Sequence, residues 1–125
     1  MTRSFPGYPQ YRLTAASEGG QAVLAVSGEL DMATAEEFAV TVREQLAAGP
    51  LLLDLRDLSF MDSSVLRALD GLLREVEREG WSLAIQSDLH PNVRRLLEMT
   101  GMLATLPLQD GPARSAVRHA DLPPP

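Results

Sequence analysis

The pattern of apolar and polar residues near the amino terminus predicts a β-hairpin. Residues 8–14 alternate weakly between apolar and polar positions, and a compact apolar run follows at residues 22–26. Between them, Glu18-Gly19-Gly20-Gln21 is typical of a tight turn. We therefore interpret this region as two strands joined by a turn.

After residue 28 the pattern changes from a strand period to a helix period. Apolar residues recur at helical spacing and would form one stripe, made of Ala35, Phe38, Ala39, Val42 and Leu46. Gly49-Pro50 would end this helix. The apolar run at residues 51–55 then predicts a strand that is covered on both faces.

The clearest helix of the chain follows a predicted loop at residues 59–63. Its apolar stripe is Val65, Leu66, Leu69, Leu72, Leu73 and Val76. Its opposite face would be a solvated surface on which Arg67, Arg74 and Arg78 pair with Asp70, Glu75 and Glu77. Gly80 is placed to end the helix in a left-handed conformation.

The rest of the chain predicts shorter elements. Residues 81–85 read as a strand, a short helix begins near Pro91 with His90 at its start, and residues 105–108 read as an edge strand. Residues 112–120 read as a terminal helix. The order of elements predicts an α/β fold, with four to five strands in a mixed β-sheet packed against about four α-helices. We expect one domain at residues 8–120, a flexible leader at 1–7 and a tail at 121–125.

Composition narrows the classes of function. The net charge of −6 argues against nucleic-acid binding, and the absence of cysteine removes disulfides, thiolate catalysis and zinc fingers. All eleven basic residues are arginine, so a Walker A loop and a lysine nucleophile are absent. With only two histidines, far apart in sequence, we expect no metal site. Without a nucleophile–base pair or a cluster of ligands, we also expect no enzymatic activity and no cofactor. The lack of a long apolar segment predicts a cytoplasmic protein with no membrane insertion.

Three short segments, taken in order, carry a resemblance to a known family. They are Gly28-Glu29-Leu30-Asp31, then Leu53-Asp54-Leu55 with Asp62-Ser63-Ser64 after it, and finally residues 95–101. In this order and spacing the sequence resembles the STAS domain of bacterial anti-sigma factor antagonists over residues 10–118. The resemblance implies a STAS-like mixed sheet packed on helices.

The resemblance also implies a function based on partner switching. The unmodified antagonist would bind an anti-sigma factor that is also a serine kinase and so release the sigma factor. Phosphorylation of Ser64, with Ser63 as the alternative, would end binding, and a serine phosphatase would reset the cycle. The residues implied at the partner surface are Asp31, Met61, Asp62, Ser63, Ser64, Val65 and Thr100.

Simpler interpretations stand beside these. Asp62-Ser63-Ser64 could be only a helix cap, with Ser63 as the capping residue, and Asp31 could be only a capping residue of the first helix. Asp54, inside an apolar strand, is interpreted as a structural carboxylate. Val65 stands where glycine is common in the family, and its β-branched side chain would stiffen the helix start and add bulk beside the serine.

Two other functions remain open at this point. One is a STAS scaffold subunit of a transport or stress-signalling assembly, in which Ser64 is never phosphorylated. The other is a small phosphotransfer enzyme of receiver type, which is disfavoured because such an enzyme needs a supporting lysine and this chain has none.

Overall fold

A computed structural model describes residues 2–3 and 11–110 of the chain. Six strands, three α-helices and one short 3₁₀-helix form within these residues. In chain order they are β1 (Thr2–Arg3), β2 (Tyr11–Glu18), β3 (Gln21–Leu30), α1 (Ala35–Ala48), β4 (Leu51–Met61), α2 (Ser63–Glu79), β5 (Leu83–Gln86), α3 (Pro91–Met99), the 3₁₀-helix (Met102–Thr105) and β6 (Leu108–Gln109).

The strands form one mixed sheet in which every strand neighbours the next in sequence. β1, β2 and β3 are antiparallel, whereas β3, β4, β5 and β6 are parallel. The predicted hairpin is confirmed: β2 and β3 pair along their length and turn through Gly19 and Gly20, both at positive φ. The strands that flank the two long helices are parallel, as predicted.

The main core lies between the sheet and the helices. On β4, Leu51, Leu53 and Leu55 point into this core, where α1 supplies Phe38 and α2 supplies Leu69. Residues 51–56 of β4 are all buried, so the prediction of a strand covered on both faces is confirmed. Gly80 ends α2 in the left-handed conformation, with φ 73°, as predicted.

The opposite face of β4 carries a buried ion pair. Side chains alternate along a strand, so Asp54 and Arg56 point away from the core that holds Leu53 and Leu55. Arg56 donates from Nε to Asp54 Oδ1 at 3.0 Å and from an Nη to Oδ2 at 2.8 Å. These bonds raise the pKa of Arg56 above its ordinary value. The structural role predicted for Asp54 agrees with this geometry.

Several predicted boundaries need correction. β4 continues through residues 59–61, which were predicted as loop, because this segment keeps pairing with β3 after two register shifts. The edge strand β6 begins at Leu108, because residues 102–105 form the 3₁₀-helix. Thr2–Arg3 of the predicted leader pairs with β2, so the sheet has six strands within the described residues, where four to five were predicted. The predicted terminal helix at 112–120 and the tail at 121–125 lie outside the described residues. Within residues 2–3 and 11–110 there are three α-helices, where about four were predicted for the chain.

None of the described helices has the length and apolar character that crossing a membrane requires.

Candidate functional site

Two loops meet at the edge of the sheet where β3 and β4 end. The strands are parallel, and their last paired residues are Leu30 and Met61. The loop from β3 into α1 and the start of α2 therefore leave the sheet side by side. In open α/β sheets this carboxyl edge is where binding sites generally form.

Asp62 caps the amino terminus of α2. Its Oδ1 accepts hydrogen bonds from the backbone N–H of Ser64 at 2.9 Å and of Val65 at 3.2 Å. These bonds satisfy two N–H groups that have no partner inside the helix. The capping interpretation of this segment is therefore right about the cap but wrong about its residue, because Asp62 and not Ser63 is the capping side chain.

The second oxygen of Asp62 joins the two loops. Oδ2 accepts a hydrogen bond from the backbone N–H of Met32 at 3.0 Å, across 30 positions of sequence. One carboxylate thus holds both the start of α2 and the β3–α1 loop.

Asp31 shapes the β3–α1 loop and does not cap α1. Its Oδ1 accepts from the backbone N–H of Ala33 at 3.0 Å, and its own backbone N–H donates to Thr34 Oγ1 at 2.9 Å. Thr34 is the first flanking residue of α1 and is buried. The prediction that Asp31 caps α1 is thus wrong, because its carboxylate closes a local turn one residue before the helix begins.

Ser63 and Ser64 are the first two residues of α2. Ser63 is exposed and Ser64 is partly buried. Both lie in the first turn, at the positive end of the helix dipole, where negative charge is stabilised. The predicted switch residues therefore stand at the surface, at a place that chemically favours a phosphate group.

Met61 and Val65 were predicted to lie at the partner surface, but both side chains are buried. Met61 is 3% exposed and Val65 is 0% exposed, because both point into the core beneath the loop. A partner that docks on this surface does not reach either side chain. The side chain of Val65 is accommodated in the core. It therefore adds no bulk to the exposed side of the Asp62-Ser63-Ser64 segment, called the serine loop below.

A family model of the STAS domain matches residues 12–114. The chain belongs to the STAS domain family. The anti-sigma F factor antagonist of Paenibacillus polymyxa is 32% identical to it over 94 residues, which cover 73% of this chain and 80% of that relative.

Solved structures of antagonists share the fold. An anti-sigma factor antagonist from Mycobacterium paratuberculosis matches with a TM-score of 0.68 at 26% identity, over 90% of this chain and 95% of that one. The Bacillus cell fate determinant SpoIIAA in its phosphorylated form matches with a TM-score of 0.59 at 20% identity, over 86% of this chain and 98% of that one. The second likeness, at its low identity, shows the fold alone.

Thr100, the last of the predicted partner-surface residues, ends α3. α3 begins beside the end of β4, where the Asn92 side chain donates to the carbonyl of Ser59 at 3.3 Å. Because β5 and β6 are parallel, the chain must return across the sheet between them, and α3 makes that return. The hydroxyl of Thr100 donates to the carbonyls of Leu96 and Leu97 in its own helix, and its role at the partner surface stays a prediction.

Two exposed apolar residues at the site were missed as contact residues. Met32 is 76% exposed and Phe60 is 46% exposed. Met32 lies between Asp31 and the first apolar position of the α1 stripe. An apolar residue in this short connection before a helix was the signal that could have identified it. Phe60 lies in the segment predicted as a loop, next to Met61, but which of these two residues faces solvent depends on the register shift in β4.

The second half of α2 is structural. Arg43 of α1 donates to both carboxylate oxygens of Glu75 at 2.9–3.1 Å. These bonds lower the pKa of Glu75 and raise that of Arg43. A groove of about 380 Å³ also borders α2, lined by Asp70, Leu73, Arg74, Val76, Glu77, Leu83, Thr105 and Pro107. It contains none of the residues of the serine loop.

Proposed function

We propose that this STAS domain is an anti-sigma factor antagonist, controlled by phosphorylation of Ser64. The unmodified protein binds an anti-sigma factor that is also a serine kinase, and this binding frees the sigma factor. The observation that carries the proposal is the Asp62-Ser63-Ser64 segment at the exposed start of α2, in a chain whose relatives are named antagonists.

The position of the serine suits a switch that alters a surface without unfolding the protein. A phosphoserine carries about −1.5 to −2 charges at neutral pH. In the first turn of α2 this charge is favoured by the helix dipole, so the fold tolerates it. The carboxylate of Asp62 is two residues away, so the modified loop becomes strongly anionic. A partner packed on the loop has to desolvate that charge and is released.

Phosphorylation in this family fold has one named precedent. SpoIIAA is named an anti-sigma factor antagonist and has been solved in unphosphorylated and phosphorylated forms. For the present chain we assign the modification to Ser64, with Ser63 as the alternative because it is the more exposed of the two. The protein then acts by binding alone, in the cytoplasm, and a serine phosphatase resets it.

Phosphotransfer from a partner kinase tests the proposal directly. The purified chain is incubated with ATP and each kinase-type anti-sigma factor encoded in the same genome, and the site is mapped by mass spectrometry. We expect one phosphate on wild type, none on Ser64→Ala and one on Ser63→Ala.

Other results of this experiment would change the proposal in specific ways. Modification that survives in Ser64→Ala but not in Ser63→Ala moves the switch to Ser63. Binding to an anti-sigma factor without any modification leaves an unregulated antagonist. The absence of both binding and modification favours the scaffold function instead.

A further inference from the structure

Exposed apolar side chains are concentrated at the serine loop. Among the described residues, three large apolar side chains are exposed: Met32 at 76%, Phe60 at 46% and Met99 at 77%. The first two lie near the carboxyl edge of the sheet: Phe60 is on the last part of β4, two residues before Asp62, and Met32 is in the β3–α1 loop, where its backbone N–H donates to the Asp62 carboxylate. Met99 lies at the far end of α3.

We propose that Met32 and Phe60 are the apolar anchors that enter an apolar pocket of the anti-sigma factor, and that Asp62 is the positioning residue that holds Met32 in place. This inference rests on the proposed function and names the contact that phosphorylation interrupts. Exposed apolar residues grouped in one patch are typical of binding surfaces, and a few such residues generally carry most of the affinity.

The charges around the serine loop favour an apolar contact with the partner over an ionic one. Residues 28–34 and 59–64 contain Glu29, Asp31 and Asp62 and no basic residue. A partner that bound through its own basic groups would bind more tightly after phosphorylation, because the added charge has the same sign as these carboxylates. The proposed function requires the opposite. An apolar contact meets this requirement, because a phosphate beside it must be desolvated without compensation.

Asp62 positions Met32 through a bond that can be removed separately from the helix cap. Oδ1 serves the cap and Oδ2 serves the Met32 N–H. In Asp62→Asn the amide oxygen still caps α2, since asparagine is as good a capping residue as aspartate. The amide nitrogen then faces the Met32 N–H, and two donors cannot bond to each other.

The proposed anchors can be distinguished from other exposed apolar residues by measuring how each alanine variant changes the affinity for the anti-sigma factor. Calorimetry uses each anti-sigma factor that binds the wild-type chain. Met32→Ala and Phe60→Ala should each weaken binding by about tenfold or more. Met99→Ala, which removes an equally exposed methionine, should change it by less than about twofold. Raising NaCl from about 50 to about 500 mM should change the affinity of wild type by less than about threefold, since the contact is apolar.

A second measurement isolates the role of Asp62. Amide hydrogen exchange of the free protein should show faster exchange at Met32 in Asp62→Asn, with the α2 amides unchanged. Asp62→Asn should weaken binding about as much as Met32→Ala. The double variant should be no weaker than Met32→Ala alone, because a positioning effect disappears once the positioned side chain is gone.

The outcomes distinguish this inference from the function on which it rests. If wild type binds no anti-sigma factor, the proposed function fails and the anchors fail with it. If wild type binds but Met32→Ala and Phe60→Ala bind equally well, only the anchors are wrong. Additive losses in the double variant would show that Asp62 contacts the partner itself and does not act by positioning Met32.

Discussion

The two halves of β4 differ in the regularity of their pairing with β3, in their burial and in their role in the molecule. Residues 51–55 are buried; the first four of them pair in unbroken register with β3, and the first three also pair with β5. Residues 56–61 pair only with β3, through two register shifts, and include the half-exposed Phe60. The first half is wholly enclosed, whereas the second half combines core residues such as Leu58 and Met61 with the exposed Phe60 and leads into Asp62 and the serines at the surface.

This difference shows how one strand can serve both stability and recognition. The regular half leaves no freedom of side-chain orientation, because every residue is enclosed. At each register shift β4 has one residue more than β3. The side chains after the shift therefore point to the opposite face from the one that strict alternation predicts. In this way Met61 is kept in the core while Phe60 reaches solvent.

The largest expected effect is in the regular half. Leu53 is 0% exposed, so Leu53→Ala should lower the free energy of unfolding by about 2–5 kcal/mol through lost burial and a residual cavity. Phe60→Ala should lower it by no more than about 1 kcal/mol, because much of that ring already faces water. Urea titration measures both. Equal losses would mean that the two halves do not differ in the way described.

Next in size is the effect of charge at the serine loop on partner binding. Ser64→Asp adds one negative charge and should weaken binding to the anti-sigma factor by about tenfold, or 1.4 kcal/mol. The mimic is partial, since a phosphate carries nearly two charges. Thermal stability should rise slightly, because an acidic group in the first turn of a helix is favourable. A variant that loses affinity because it is destabilised would contradict this expectation.

The helix cap gives a smaller effect. Asp62→Ala removes both the cap and the bond to the Met32 N–H, and should cost about 1 kcal/mol of stability in a thermal melt. Asp62→Asn is the matched comparison and should cost only a fraction of that, because the cap is kept. If both variants lose the same stability, the bond to Met32 and not the cap supports this end of α2.

The smallest effect is the pH dependence of the ion pair between α1 and α2. Hydrogen bonds from Arg43 lower the pKa of Glu75 below its ordinary value of 4.5. A carboxyl group whose pKa is lower in the folded state stabilises the fold above its unfolded pKa, and loses that effect as pH falls through the folded value. Wild type should therefore be more stable than Glu75→Gln at neutral pH, and the gap should close in acid.

A control on the same helix sharpens this measurement. Asp70 pairs with Arg74 at 2.8 Å, but their side chains are 48% and 75% exposed. Exposed pairs contribute little, so Asp70→Asn should change stability less than Glu75→Gln does at neutral pH. Thermal melts at a series of pH values compare the two. A gap for Glu75→Gln that widens in acid would mean that the sign of the linkage is wrong.

The fold was largely predictable because the apolar periods are clear. The stripe that contains Leu69 correctly predicted α2, and the run that contains Leu53 correctly predicted the buried part of β4. The alternation of strands and helices correctly predicted the parallel pairing around α1 and α2. The family pattern drew attention to Asp62, Ser63 and Ser64. It did not foresee the bond from Met32 to Asp62, because contacts between loops depend on strand register, and the shifts in β4 leave no local signal.

The ion pair within β4 has a consequence for folding specificity. Asp54 and Arg56 are two positions apart on one strand, so they stay on a common face however the strand is aligned. A slip of β4 by one residue would turn both charges toward the helices, where Leu53 and Leu55 belong, and would turn those leucines away. Such an alignment would bury two ionised groups among aliphatic side chains. The pair thus raises the energy of the misaligned sheet and keeps the serine loop at the end of a strand with only one acceptable alignment.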